Sequence, residues 1–414
     1  MASDTYRFSI PSTILLLALA ILPVAFLAPK GLAPLAALAG LLSLGQLFGR
    51  VRYVRFFTLG STHIIFGIVA LAGASTLWSL SPAASIETFR GIATVAMMGC
   101  ALLAAAQLAP LPGPDQRTVW RRLGFLLLLS ALLLTAYLIV DYISGGAPNR
   151  LWRALIPAIA PWHPNLAIRA IVALVLLFWT LLHFLDGQEA AGHRVWRWRA
   201  VLLAGTLILI ALSPQLSARI ALVVGLIAYA IGRWAPPRAT LLLLLGMALF
   251  VLGLPFIIHF WLDPAGFGAQ LNQPRYYSGM HRLYIWQFVA ERVMEQPWLG
   301  WGLDSARVIP GGDRVLSGGG EVLPMHPHNG FLHYWLEFGL LGGGAVALSL
   351  AYIGYRLSRP TLTPAARAAC FGYTAAGFTF AFLSFNNWHN WWIGLIMLSL
   401  AVLIMTVRMA RPPA

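Results

Sequence analysis

Acidic side chains are scarce in this sequence: 13 aspartates and glutamates among 414 residues, against 28 basic ones. Lysine is nearly missing too, since Lys30 is the single example and every other basic residue is an arginine. Charged residues make up 10% of the chain and hydrophobic ones 59%. A soluble domain carries roughly a quarter charged residues and about half apolar, so a soluble fold is excluded and a bilayer is the expected solvent. Cysteine is limited to Cys100 and Cys370, both inside apolar runs. A disulfide framework is thereby excluded, and both read as small packing residues.

Signatures of several chemistries are absent as well. There is no HExxH, CxxC or DxD for a metal, no P-loop or GxGxxG for a nucleotide, and no GxSxG nucleophile elbow. The acids Asp263, Glu291, Glu295, Asp304, Asp313 and Glu321 are scattered rather than paired. His326 and His328 form an HxH, but no full ligand set lies near them, so neither a metal nor a cofactor is expected. A net charge of +15 on a soluble protein would suggest nucleic acid. Here the charge follows membrane topology, and no nucleic-acid partner is expected.

What is abundant is apolar sequence in pieces of about 20 residues, the length a spanning helix needs. They fall near 10–28, 31–48, 61–79, 86–108, 123–143, 165–185, 200–213, 219–232, 239–260, 330–354, 368–385 and 390–407. The expectation is an all-α polytopic membrane protein with about twelve transmembrane helices. The first piece runs into "PKG" without a small-residue cleavage site, so it is expected to be a span and not a signal peptide. Basic loops mark the cytoplasmic side. With the N-terminus inside, the inner segments are Arg7, "RVRYVR" (50–55), "DQRTVWRR" (115–122), "HRVWRWR" (193–199), "GRWAPPR" (232–238), "YRLSRPTLTPAAR" (355–367) and the tail "VRMARPPA". They hold 17 of the 28 basic residues, which puts both termini in the cytoplasm. No internal repeat of the transporter kind is apparent.

Three segments follow: 1–260 with nine spans, a large outer loop at 261–329, and 330–414 with three spans and an inner tail. The loop carries Arg275, Arg282, Arg292, Arg307 and Arg314 although it faces outward. Within it, "MHRLYIWQFVAERVMEQPW" (280–298) spaces Leu283, Trp286, Val289 and Val293 as an amphipathic helix on the bundle or in the interface. The stretches "DPAGFG" (263–268) and "GGDRVLSGGG" (311–320) flank it and suggest mobility.

Arginine at membrane depth costs roughly 2.5–3.5 kcal/mol on insertion scales, so each outer-end arginine asks for a reason. Arg219 opens a span in "SPQLSARIAL" (213–222) beside Ser213, Gln215 and Ser217, with no acid nearby. It either snorkels to headgroups or clamps a phosphate with its planar fork of donors. Arg282 in "HRLYIWQ" (281–287) follows His281 and either faces solvent or joins such a clamp. Arg90 follows Glu87 by three residues, which an intrahelical pair would explain, and Arg169 follows His163 and Asn165 in "WHPNLAIRA" (162–170).

At the mouth of the tenth span stands "MHPHNGFLHYWLEFGLLGGG" (325–344). Asn329 is suited to cap the helix, while His333 and Glu337 share one face, His333 as a satisfied core residue. His328 is reachable from water and from the long loop, and a neutral imidazole there can take a proton from a hydroxyl. His326, two residues away, is a rival for that role. A cationic site with a base and few acids suits attack by a hydroxyl on a carbon bearing a phosphate or diphosphate. Arginines would then stabilise the charge on the leaving oxygen.

The order His328-Asn329, nine residues, then Gly339 resembles the signature of the bacterial O-antigen ligase family. "QPWLGWGLDS" (296–305), "LWSLSPAASIETFRG" (77–91) and "HRLYIWQ" resemble it too, and the likeness in span order covers nearly the whole chain. The resemblance implies a GT-C-like fold and a metal-independent, inverting glycosyltransferase on the periplasmic face of the bacterial inner membrane. Its donor would be O-antigen polysaccharide on undecaprenyl diphosphate, its acceptor a sugar of lipid A–core, with membrane lipids around it. It gives His328 the family's essential histidine and Arg219 and Arg282 the diphosphate-binding arginines. Arg90, His163 and Asn165 are further transfers, and Arg169, Gln215, His281, His326 and Asn329 join them as candidate substrate-binding residues. The first outer loop, "APKGLAP" (28–34), lacks the acid usual in GT-C enzymes, which counts against a metal-using mechanism. Competing readings are an O-antigen polymerase, a protein O-oligosaccharyltransferase, and a lipid-linked sugar transporter. The last would expect charged residues at several depths, whereas here they gather on one face.

Overall fold

A computed structural model describes residues 10–47, 59–109, 114–156, 163, 165, 167–266, 277–316 and 320–410. Arg7, the segment 50–55, Arg275 and Arg411, all used in the topology argument, lie outside the described residues. Helices follow one another as α1 (Ile10–Leu19), α2 (Ile21–Leu27), α3 (Leu32–Leu47), α4 (Gly60–Ser75), α5 (Pro82–Leu108), α6 (Pro114–Ile143), α7 (Ala147–Leu155) and α8 (Ile168–Ala190). Then come α9 (Trp196–Leu212), α10 (Leu216–Trp234), α11 (Pro237–Trp261), α12 (Tyr277–Glu295), α13 (Gly330–Leu357), α14 (Pro364–Leu383) and α15 (Asn390–Met409). Among the described residues the only strand-like pairing is the isolated bridge between Val315 and Glu321.

Each expected span falls on helix. Among the described residues seven helices are long and apolar enough to cross a membrane, namely 82–108, 117–143, 168–190, 216–234, 237–261, 330–357 and 390–409, with shorter apolar helices at 12–27 and 60–75. The first expected span is interrupted: Pro23 has no N–H to give, and the chain breaks between α1 and α2 at Ala20. Proline opens other helices where its missing donor costs nothing, at Pro82 and Pro237, and Thr363 caps α14 by accepting from the Ala366 N–H at 3.2 Å.

The interior is built around α8, which is buried from Ala170 to Leu181 and again at His183 to Leu185. Trp179 wedges between two glycines: a Cβ on Gly225 of α10 or on Gly372 of α14 would stand 2.2 or 2.5 Å from its ring. Glycine at both positions lets three helices meet around one indole. A Cβ on Gly232 would lie 2.8 Å from Ala368 Cα, and Arg367 donates to the Gly232 carbonyl at 2.9 Å. Pairing 225 with 372 and 232 with 368 makes α10 and α14 antiparallel, and the register sets Arg219 opposite residues of roughly number 380. That is within a turn of the end of α14.

The loop helix α12 is amphipathic, but its inward stripe is Ile285, Phe288, Val289 and Val293, packed against α11 and α13. Leu283, expected inside, is only half-buried, as is Trp286. The glycine-rich stretch after it is tied down at its described ends. Val322 donates to the Arg314 carbonyl at 2.8 Å and Leu323 to that of Gly312 at 2.9 Å.

Candidate active site

The mouth of α13 is shaped by its cap. Asn329 Oδ1 accepts from the backbone N–H groups of Phe331 at 3.0 Å and Leu332 at 3.2 Å, satisfying two of the helix's orphan donors. One residue earlier, His328 sits in the left-handed region at φ +53, a conformation that costs a non-glycine residue about 1–3 kcal/mol. This turn folds the two imidazoles together. The His328 N–H donates to His326 Nδ1 at 3.2 Å, and the ring centroids stand 4.2 Å apart. His326 also lies 6.5 Å from His333 and 6.1 Å from His389, so four histidine rings gather at one end of the bundle.

Neighbouring elements fix the turn from outside. Trp286 of α12 donates to the Pro327 carbonyl at 3.0 Å, and His281 donates through Nε2 to that of Glu321 at 2.7 Å. Asn387, between α14 and α15, donates to the Gly330 carbonyl at 2.7 Å. Arg282 gives one Nη1 hydrogen to the Leu383 carbonyl at 2.8 Å, next to Ser384, whose carbonyl lies 3.4 Å from His328 Nδ1. A carbonyl only accepts, so Nδ1 of His328 carries its proton there and Nε2 keeps its lone pair. The reverse holds for His326: its Nδ1 is the acceptor, which leaves the proton on Nε2.

Burial sets the protonation of the cluster. His326 is driven down to about 2, first by desolvation and then by the nearby rings and Arg282. His328 is lowered by burial and by Arg282, partly offset by the Ser384 carbonyl. His389 is lowered by burial, Arg169 and Arg307. These rings are neutral near pH 7. Arg282 is lowered by burial but starts from 12.5, so it stays cationic. His333, fully buried, donates to Glu337 Oε1 at 3.0 Å, and Trp388 donates to the other carboxylate oxygen at 2.6 Å. Among the described residues no three His, Cys, Asp or Glu side chains are arranged to hold a metal ion.

The segments 77–91 and 296–305 prove to be one joint. Leu303 N–H donates to Ser75 at 3.2 Å, and its carbonyl accepts from Ser79 at 2.8 Å and Ser85 at 2.5 Å. The same strip pairs with α13, since Trp301 and Gly302 donate to the Leu336 and Glu337 carbonyls at 2.8 Å and Leu340 returns a bond to Pro297 at 2.8 Å. Gly302 at φ +87 and Gly339 at φ +57 are required there. A Cβ would stand 2.4 Å from Ser79 Cα at the first and 2.5 Å from the Trp298 carbonyl carbon at the second. The joint delivers Asp304 and Arg307, paired at 3.0 Å, with Thr88 donating to the other Asp304 oxygen at 3.1 Å.

The remaining expected residues are placed unevenly. Arg169 is the second residue of α8 and lies over the Trp391 ring at 5.3 Å, on the His389 side of the cluster. Arg219 donates to the carbonyls of Ile210 and Ala211 at 3.1 Å and Ser213 at 2.6 Å, so it caps the C-terminus of α9. These bonds use Nε and Nη2 and leave the Nη1 hydrogens uncommitted. Arg90 and Glu87 are both exposed and do not pair, although the adjacent Gly91 packs against Asn390. No hydrogen bond or ring contact among the described residues joins His163, Asn165 or Gln215 to the histidines; His163 Nδ1 accepts from the Asn165 N–H at 3.1 Å. Sequence reasoning passed over His389, Trp388 and the Asn386–Asn387 turn. Their signal was "FNNWHNWW" (385–392), a polar and aromatic run between two apolar spans.

With this geometry in place, comparison with known proteins gives a match to the model of a family described as O-antigen ligase, over residues 200–347. That stretch contains Arg219, Arg282, the HxH and Gly339 of α13. Over it, the chain is similar to the O-antigen ligase family. Three relatives are each named "Putative polysaccharide ligase". One from Rickettsia prowazekii is 29% identical over 238 residues, 55% of this chain and 53% of that protein. One from Rickettsia conorii is 25% identical over 325 residues, covering 77% and 73%. A third, from Rickettsia typhi, is 36% identical over 120 residues, 28% and 29%. The chain therefore spans about half the length of the first of these relatives.

Proposed function

We propose that this protein is a metal-independent, inverting O-antigen ligase. It moves a polysaccharide from undecaprenyl diphosphate to a sugar hydroxyl of lipid A–core, on the periplasmic face of a bacterial inner membrane. Twelve spans with both termini cytoplasmic and a GT-C-like arrangement complete the reading. The observation that carries it is His328: a half-buried neutral imidazole with Nδ1 committed to the Ser384 carbonyl, Nε2 open, and the Arg282 cation beside it.

His328 Nε2 takes the proton of the acceptor hydroxyl as its oxygen attacks the anomeric carbon. The bond from that carbon to the diphosphate oxygen breaks, and the electron pair leaves with the diphosphate. The uncommitted hydrogens of Arg282 and Arg219 stabilise the charge formed there, the two arginines being held at the same end of α14. The geometry favours His328 over His326 as base, because the proton of neutral His326 already occupies the nitrogen that would have to accept.

The deciding experiment follows lipopolysaccharide and lipid-linked glycan in cells lacking the protein. Loss of long-chain lipopolysaccharide, with long glycan accumulating on undecaprenyl diphosphate, is expected. Core bearing a single repeat would instead identify a polymerase, and an unchanged profile would overturn both readings.

A further inference from the structure

At the end of the bundle remote from the histidines, α6, the 191–195 turn and the start of α9 enclose an open groove of about 870 Å³. Arg169, beside the histidine cluster, begins α8, and Ala190 ends it, so about 34 Å of helix separates the two places. The rim of the groove is cationic. Arg121 donates to His193 Nε2 at 3.3 Å, and Arg122 and Arg194 complete the rim. Two acids of this end are already taken, since Arg199 binds Asp186 at 2.6 Å and Glu189 at 2.7 Å. No carboxylate of the described residues lies within 4.0 Å of Arg121, Arg122 or Arg194.

Below the rim the lining turns apolar. From Arg122, α6 presents Phe125 and then Leu129, about 10 Å further along the helix, with Trp198 opposite. The turn that shapes the mouth is preformed: Gly192 is left-handed at φ +87, and His193 N–H donates to the Gln188 carbonyl at 3.0 Å. Charge at the lip, apolar surface running along a membrane-crossing helix, and spare arginines match one kind of molecule. An anionic lipid presents its phosphate at headgroup level and its acyl chain below it.

We propose that this groove binds one anionic glycerophospholipid of the surrounding leaflet, its phosphate on Arg121, Arg122 and Arg194 and an acyl chain along Phe125 and Leu129. The site is independent of glycan transfer. Assigning it to the inner leaflet rests on the orientation given above; the binding itself does not.

The test uses the full chain in nanodiscs containing equal phosphatidylcholine and phosphatidylglycerol, with retained lipid counted by native mass spectrometry. The wild type is expected to keep one phosphatidylglycerol in preference to phosphatidylcholine. Arg122→Gln and Arg194→Gln, both exposed, should each weaken that preference about fivefold. Leu129→Trp, which fills the groove with the arginines intact, should remove it. Arg238→Gln, in another basic turn, should leave it unchanged, and His328→Ala should keep the lipid while losing transfer. A preference that survives both Arg122→Gln/Arg194→Gln and Leu129→Trp would overturn the proposal. So would an equal loss in Arg238→Gln, which would mean diffuse surface attraction.

Discussion

The backbone N–H of His328 donates to the Nδ1 atom of His326 across 3.2 Å, so one histidine shapes the backbone that presents the other. In this relationship His326 works through an acceptor atom, which asparagine can mimic. His326→Asn, with its side-chain oxygen in the Nδ1 position, is therefore expected to keep most of the transfer activity. His326→Ala removes the acceptor from a left-handed turn and should lower activity by about tenfold or more. His328→Ala and His328→Asn should both abolish it. Rates in reconstituted membranes check the set, and a His326→Asn as inactive as His328→Ala would reverse the assignment of base and support.

Burial of neutral imidazoles makes stability depend on pH. A histidine whose folded pKa is lowered binds fewer protons in the folded state than in the unfolded one. Stability then falls as pH drops through the ordinary value of 6.5 and on toward the folded value. For His326, buried and lowered to about 2, the loss amounts to about 1.4 kcal/mol per pH unit below 6.5. Melting temperature should drop between neutral pH and pH 5 in wild type, and drop less in His326→Asn. Equal slopes in the two proteins would contradict the buried neutral ring.

Much of this architecture was legible in the sequence. Long apolar periods located the helices because a bilayer leaves the backbone few alternatives, and Asn329 announced itself as a cap. What could not be read was distance. Segments 77–91 and 296–305 looked like separate motifs, and only packing shows that Ser75, Ser79 and Ser85 grip the Leu303 backbone. The rotation of α12 was misjudged because Leu283 and Ile285 are both apolar, and the choice between them is made by what α11 and α13 offer. Arg219 was read as a clamp or a snorkel, whereas its nearest partners are the ends of α9. His389 escaped notice because a lone histidine in a short turn has no signature until three others surround it.

Arg219 and Arg282 should respond differently to substitution. Arg219 holds three carbonyls of α9, so Arg219→Ala is expected to cost stability of roughly 1–2 kcal/mol as well as activity. Arg282 gives a single bond to Leu383, and its loss should fall mainly on transfer. Lysine at either position should rescue partly, lacking the fork. Arg282 also helps keep His328 neutral. The acidic limb of kcat/KM is expected below pH 6.5 in wild type and nearer to it in Arg282→Gln. Residual activity measured across pH checks the displacement, and an unmoved or lowered limb would remove Arg282 from the neighbourhood of the base.

Glu337 accepts from both His333 and Trp388 in a place without water access, which makes it the tie between α13 and the turn that carries His389. Glu337→Leu would strand two buried donors, at about 1–3 kcal/mol each. Glu337→Gln still accepts from Trp388 and can donate to His333 if that ring changes tautomer, so it should be the milder change. Removing the donor as well tells burial cost from tie strength: Trp388→Phe in the Glu337→Leu background should restore part of the lost stability. The double-mutant cycle would then show coupling of 0.5 kcal/mol or more in that direction. Additive losses would mean that the carboxylate and the indole stabilise the bundle separately, and that the His389 turn is held by Asn386 and Asn387 alone.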